Sequence, residues 1–204
     1  MRRSSKQNEE ELFTAAEGQQ GYFTTKQAKA CGYPDNTHPY HVAAGNWVRE
    51  RRGIYRLSLY PISEEGQLVI CSLWSRNRKG VTQGTYSHQT ALSIHDVSDV
   101  MPSKLHMTVP VTFRRSSPIP PVLILHKAFL PDSDIEERMG YRVTRLLRTL
   151  VDLIDTEEIS ADELKQVLEE GLRRGLITRS ELRDRNESVR SMDTLRCMAE
   201  ELKG

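Results

Sequence analysis

The stretch FTTKQAKACGYPDNTHPYHVAAGNWVRERRGIYRL, residues 23–57, sets the architecture of the N-terminal part. It opens as a helix start: Thr24 stands at the capping position, Gln27 three residues on can bond back to the cap, and Phe23 precedes them as a staple. That helix is short, because Cys31-Gly32 offers a left-handed terminator. After Tyr33-Pro34-Asp35 a further helix begins, with Pro39 tolerated only in its first turn, where a missing N–H loses no partner, and Gly45 ends it. Extended chain follows from Asn46 to Glu50, then Arg51-Arg52-Gly53, then Ile54 to Leu57. In this last run Ile54 and Arg56 face one way and Tyr55 and Leu57 the other, while Gly53 supplies the positive φ of a tight hairpin. Upstream, Asn8 to about Gln19 reads as a helix with Leu12, Phe13 and Ala16 on one face and Glu9, Glu10 and Glu11 at its positive end, closed by Gln20-Gly21. Three short helices followed by an arginine-tipped hairpin predict a winged helix-turn-helix domain over residues 1–60.

The stretch LYPISEE, residues 59–65, with its proline and acidic pair, is the expected boundary, and residues 66–204 the second domain. There Leu68–Ser75 and Tyr86–Ile94 read as helices, Leu105–Pro110 as an alternating strand, and Pro121–His126 as a strand buried on both faces. Tyr141–Val143 reads as a short third strand. From Thr144 the chain turns helical. Ser160 and Glu163 form a capping box before a stripe of Leu164, Val167, Leu168 and Leu172, Thr178 and Glu181 form another, and Val189, Met192, Leu195, Ala199 and Leu202 mark an amphipathic last helix. The fold class is therefore α+β: a winged helix followed by a small sheet backed by helices.

The chain has 204 residues, 37% hydrophobic and 28% charged, and no apolar run near the roughly 18 residues of a spanning helix, which excludes a membrane protein and a disordered chain. Arginines followed by glutamates at the N-terminus give no secretory signal, and three widely spaced cysteines without a CxxC fit reduced thiols, so a cytoplasmic location is expected. The net charge of +1 is unevenly spread. Residues 1–60 carry nine Lys and Arg against six Asp and Glu, whereas residues 131–204 carry thirteen against eighteen. A basic N-terminal part suits a phosphate backbone, and the acidic C-terminal part suits a protein partner.

The candidate DNA-reading residues are Asn36, Thr37, His38, Tyr40 and His41 on the third helix, Thr25 and Lys26 on the second, and Arg49, Arg51 and Arg52 on the wing. Each has a blander alternative, as a cap, a packed surface ring or a solvated hairpin. Cys31, His38 and His41 lack the fourth ligand of a structural zinc site, so no metal is expected. The polar residues of the second domain, Ser87-His88, Asp96, Asp99, His106, His126 and Asp152, are scattered, with neither a phosphate-binding glycine loop nor HExxH. No cofactor and no enzymatic activity are expected. Ser87, His88, Arg145, Arg148 and Asp152 are candidates for an exposed antagonist or partner surface. The alternative is polar groups satisfied in the core for the first two, and an ion-pair series at helical spacing for the rest.

The strings FTTKQAKACGY and HPYHVAAGNWVRERRGIYRL resemble the N-terminal winged helix of AbiEi-type antitoxins. YSHQTALSIHDVSDVMPSKLHMTVP and GYRVTRLLRTLVDLI resemble the C-terminal domain of that family, including Thr-x-x-x-Arg-Thr-x-x-Asp at Thr144, Arg148, Thr149 and Asp152. The resemblance runs from about residue 10 to about residue 183. Its most specific parts are Gly53, Tyr55, Arg56 and Leu57 at the end of the wing and Ser87, His88, Thr90, Ala91 and Leu92. It implies the antitoxin of a bacterial type IV toxin-antitoxin (abortive infection, phage defence) system. Such a protein represses its own promoter by binding inverted repeats in double-stranded DNA, as a dimer or as copies that meet there, and counters a nucleotidyltransferase-like toxin without a tight complex. The third helix departs from the family by carrying histidines and a tyrosine where many relatives have arginines. Two other functions compete: an atypical protein kinase that modifies the toxin, and a one-component regulator whose second domain senses a small molecule.

Overall fold

In the computed structural model, which describes residues 4–184 and 189–202, the Thr24 hydroxyl accepts from the Gln27 N–H while Gln27 Oε1 accepts from the Thr24 N–H at 3.0 Å, so helix α2 (Thr25–Ala30) starts where its capping box predicts. Helix α1 (Ser5–Glu17) begins earlier than expected, because Ser4 and Gln7 form a capping box of their own. Glu9, Glu10 and Glu11 therefore lie beyond the first turn. Phe23, expected as a staple, belongs to a strand, β1 (Tyr22–Thr24). A single 3-10 turn (Asp35–Thr37) leads into α3 (His38–Ala43), and the hairpin β2 (Trp47–Arg51) and β3 (Ile54–Leu57) completes an antiparallel sheet in the order β1-β3-β2. Gly53 turns the hairpin at φ +75°, and the pairing slips between Arg49 and Arg51 as a bulge. Leu12, Ala16, Phe23, Ala28, Cys31, Trp47 and Tyr55 close the core, with Phe23 edge-on to Trp47 at 5.0 Å. Burial of each large side chain stabilises by about 1.5–3 kcal/mol.

The chain divides into two compact units, Met1–Gly84 with Glu137–Arg142, and Thr85–Glu136 with Val143–Gly204. This differs from a boundary near residue 60: helix α4 (Gly66–Trp74) belongs to the first unit. Packing is the reason. α4 is buried along most of its length and lies against β1 and β3, and a Cβ on Gly66 would overlap the Tyr22 hydroxyl. Within the same unit Gln20 Nε2 donates to Glu65 Oε2 (2.8 Å) and to the Met139 carbonyl (3.0 Å), and the Tyr141 hydroxyl donates to Glu65 Oε1 (2.8 Å). The acidic pair read as a linker thus contributes a hydrogen-bonded carboxylate.

The larger sheet contains β4 (Thr85–Tyr86), β5 (Leu105–Val109), β6 (Leu123–Lys127), β7 (Ile135–Arg138) and β8 (Tyr141–Thr144) in the order β6-β5-β4-β8-β7. It is mixed: β5 runs parallel to β6 and antiparallel to β4, and β4 runs parallel to β8. Tyr86, expected to begin a helix, is a buried strand residue, and helix α5 (His88–His95) starts after it. β6, expected to be buried on both faces, is an edge strand with Ile124 exposed. β7 carries no sequence signal because IEER is an edge strand with one apolar residue. Helices α6 (Leu146–Asp155), α7 (Ala161–Arg173), α8 (Arg179–Asp184) and α9 (Val189–Glu201) follow. Leu92, Leu146, Leu150, Leu153, Leu168 and Leu195 are among their shared core residues. Of the last-helix stripe, Met192, Leu195 and Ala199 are buried and Leu202 packs on the core, while the side chain of Val189 lies outside the described residues.

Candidate functional site

In α3 the ring that enters the core is His38, the first residue of the helix. It is 3% exposed, its Nε2–H donates to the Tyr33 carbonyl at 2.9 Å, and it meets Trp47 and Tyr55 edge-on. His38 is therefore a core residue, not a base reader, because a helix of six residues has one inner face and His38 occupies it. Tyr40, 69% exposed, points outward, as does Asn36. His41 is half-buried, and burial, with His38 nearby, holds its pKa below the usual histidine range. Thr37 is half-buried and donates its hydroxyl to the Pro34 carbonyl at 2.8 Å. Thr25 ties α2 to the wing, its N–H donating to the Gly53 carbonyl at 3.0 Å. Lys26 spends its ammonium on the Arg78 carbonyl at 2.7 Å.

On the wing, Arg49 and Arg52 are exposed and Arg51 is half-buried, and none of the three holds an ion pair among the described residues. The wing's acid, Glu50, is taken by the buried Arg56, whose Nε donates to Oε1 at 2.9 Å, while Arg56 also donates to the Tyr60 carbonyl at 2.7 Å. The strand pair thus neutralises its carboxylate inside and leaves its other cations outward. Asn36, Tyr40, Arg49 and Arg52, with Arg51 beside them, make up the exposed polar set of this unit's candidate DNA surface.

The second unit places its candidates mostly inside. Ser87 is fully buried; its Oγ accepts from the Thr108 hydroxyl at 2.7 Å and lies 2.9 Å from His88 Nδ1. His88 has a left-handed backbone, φ +53°, and its ring stacks on His126 at 3.7 Å. The parallel register Thr108↔His126 puts His106 and His126 on one face of β5 and β6, with His106 Nδ1 3.1 Å from His126 Nε2. Glu158 Oε2 stands 3.8 Å from His106 Nδ1. Burial, reinforced by His126, His106 and the Arg148 cation, pushes His88 down to about 3. Burial also lowers His106, opposed by Glu158, and His126, where His106 adds to it.

Arg148 Nε donates to Asp152 Oδ1 at 2.8 Å, one turn on along α6, and its Nη1 reaches the fully buried Asp134 at 3.5 Å. Beside this, the Thr144 and Thr149 hydroxyls meet at 2.7 Å. The Thr-x-x-x-Arg-Thr-x-x-Asp pattern is accordingly the lock on the start of α6. As an exposed surface the expected set is corrected: Ser87 and His88 are buried, Arg148 and Asp152 are largely covered, and Arg145 is exposed. Asp134 and Glu158 carry no signal in the sequence, because their partners are distant in the chain.

Residues 10–58, from within α1 to the end of the wing, match a family model described as a transcriptional regulator, AbiEi antitoxin. The N-terminal segment is therefore similar to AbiEi antitoxin transcriptional regulators. No curated protein matches the chain. The crystal structure of the RV2827C protein from Mycobacterium tuberculosis is similar over 97% of this chain and 83% of that one, with a TM-score of 0.47 and 14% identity, a level from which no function is carried over. The matched segment contains α3 and the arginine wing, and the second unit is read from its own residues. No helix among the described residues is long and apolar enough to cross a membrane.

Proposed function

We propose that this AbiEi-type regulator is the antitoxin of a type IV toxin-antitoxin system and the repressor of its own promoter, acting in the cytoplasm. Two copies bind the halves of an inverted repeat, each with α3 toward the major groove and the wing along the backbone. The observation that carries this reading is the wing: three arginines without an ion pair among the described residues, beside the exposed Tyr40 and Asn36, inside the segment that matches the regulator family. The second unit counters a nucleotidyltransferase-like toxin, functionally and without a catalytic step of its own.

The test pairs a mobility shift on the DNA upstream of the chain's own gene with growth rescue against the neighbouring open reading frame. A shift outcompeted by the same inverted repeat but not by scrambled DNA, together with rescue, is the expected result. Absence of specific binding would overturn the repressor reading, and absence of rescue the antitoxin reading.

A further inference from the structure

We propose that His88, His106, His126 and Glu158 form a closed structural site for a divalent transition metal of the zinc class, which pins α5, β5 and β6 to the end of α6. One donor atom from each histidine lies within 4.8 Å of the others, and the residues come from three separate elements. Tetrahedral zinc, with bonds to nitrogen of about 2.0–2.1 Å, holds its ligand nitrogens about 3.3 Å apart. His106 Nδ1 and His126 Nε2, at 3.1 Å, already stand at that separation. The third donor atom, from His88, lies within 4.8 Å of both.

Three further observations point to the same place. Glu158 Oε2 is buried without a hydrogen-bond partner and lies 3.8 Å from His106 Nδ1, so a carboxylate oxygen, costly to leave unsatisfied, faces the cluster as a fourth ligand. Ser87 Oγ, anchored by Thr108, lies 2.9 Å from His88 Nδ1; with the proton on Nδ1 it accepts that N–H and leaves the Nε2 lone pair for the metal, the arrangement in which an outer oxygen fixes the tautomer of a metal-binding histidine. His88 also holds a left-handed backbone, φ +53°, which a non-glycine residue keeps only where the surrounding structure over-determines it. The donors decide the metal: imidazole nitrogens suit zinc and its neighbours, not magnesium or calcium, and three imidazoles with one carboxylate fill a tetrahedron and leave no open position for substrate.

The test uses the full-length chain, stripped with a chelator and titrated with Co2+ as a visible probe, then with Zn2+ in competition. One equivalent of Co2+ should give the intense bands of a tetrahedral ion, Zn2+ should abolish them, and Zn2+ should raise the melting temperature. His126→Ala should abolish the bands, and Ser87→Ala should weaken zinc binding by about 10- to 100-fold, because it removes the oxygen that orients the His88 ring. The wild-type titration is decisive even if a variant fails to fold. No tetrahedral spectrum and no zinc-dependent shift in melting would show that the rings are a neutral hydrogen-bonded stack and overturn the proposal. A full-strength spectrum surviving in folded His106→Ala,His126→Ala would overturn it equally, since the metal would then sit elsewhere. None of these readouts depends on DNA binding or growth rescue.

Discussion

The imidazole of His41 lies flat on the indole of Trp47, ring centroids 4.5 Å apart and planes 18° from parallel, while Tyr33 meets the same imidazole edge-on at 5.0 Å. A ring held this way supports the core more than it reads a base. His41→Ala should lower the melting temperature, because a stacked ring pair contributes about 0.5–1.5 kcal/mol beyond area burial. Tyr40→Ala should leave melting unchanged and reduce discrimination between operator and scrambled DNA by about 1–3 kcal/mol. Thermal unfolding and competitive mobility shifts separate the two, and equal discrimination in Tyr40→Ala and wild type would remove Tyr40 from the reading surface.

The wing should set the salt dependence. Arg49 and Arg52 are exposed and Arg51 is half-buried beside them, and each phosphate that the wing no longer neutralises should flatten the slope of log affinity against log salt by about 0.9. Arg49→Ala with Arg52→Ala is expected to weaken specific and nonspecific DNA binding alike. A slope identical to wild type across a salt titration would assign the phosphate backbone to other residues.

Because α4 belongs to the first unit, a fragment ending at Gly84 should melt higher than one ending at Tyr60. The shorter piece uncovers the surface of β1 and β3 on which α4 lies, including the buried Tyr22. Binding of a hydrophobic dye by the shorter fragment alone is the expected accompaniment, and equal melting of the two would restore the boundary near residue 60.

Arg148 and Arg145 should behave oppositely. Arg148→Ala withdraws a cation from between Asp152 and the fully buried Asp134 and should cost about 3 kcal/mol, with loss of growth rescue tracking loss of stability. Arg145→Glu, at an exposed position, should leave melting within about 0.5 kcal/mol of wild type. If Arg145→Glu abolishes rescue while melting holds, this end of α6 faces the toxin's pathway; full rescue places that surface elsewhere.

Acid should destabilise the metal-free chain. Burial pushes His88 down to about 3, and His106 and His126 shift the same way, whereas an unfolded histidine titrates near 6.5. Between those values the unfolded chain binds protons that the folded chain refuses, so this stability is complete above about pH 6.5 and declines as pH falls toward 3. The urea midpoint should drop between about pH 7.5 and about pH 5, and the drop should shrink in His88→Gln. A midpoint independent of pH over that range would mean the histidines stay solvated.

Local features of this protein are written in the chain alone. Thr24 with Gln27, Ser160 ahead of Glu163, Thr178 with Glu181 and the positive φ of Gly53 are set by hydrogen bonds and sterics within a few residues, so three helix starts and the wing turn were legible without the fold. The Arg148–Asp152 pair was legible for the same reason, being one helical turn apart. Which rings face inward is a property of the assembled fold: His38 and Tyr40 are two residues apart on one short helix, and the position of Trp47 buries the first and not the second. Tertiary packing also gave α4 to the N-terminal unit, because an apolar helix says that it must be covered, not by what. Packing likewise brought His88, His106 and His126 together, since their meeting depends on the parallel pairing of β5 with β6 and on where α5 begins, relations between segments many residues apart that no local pattern encodes.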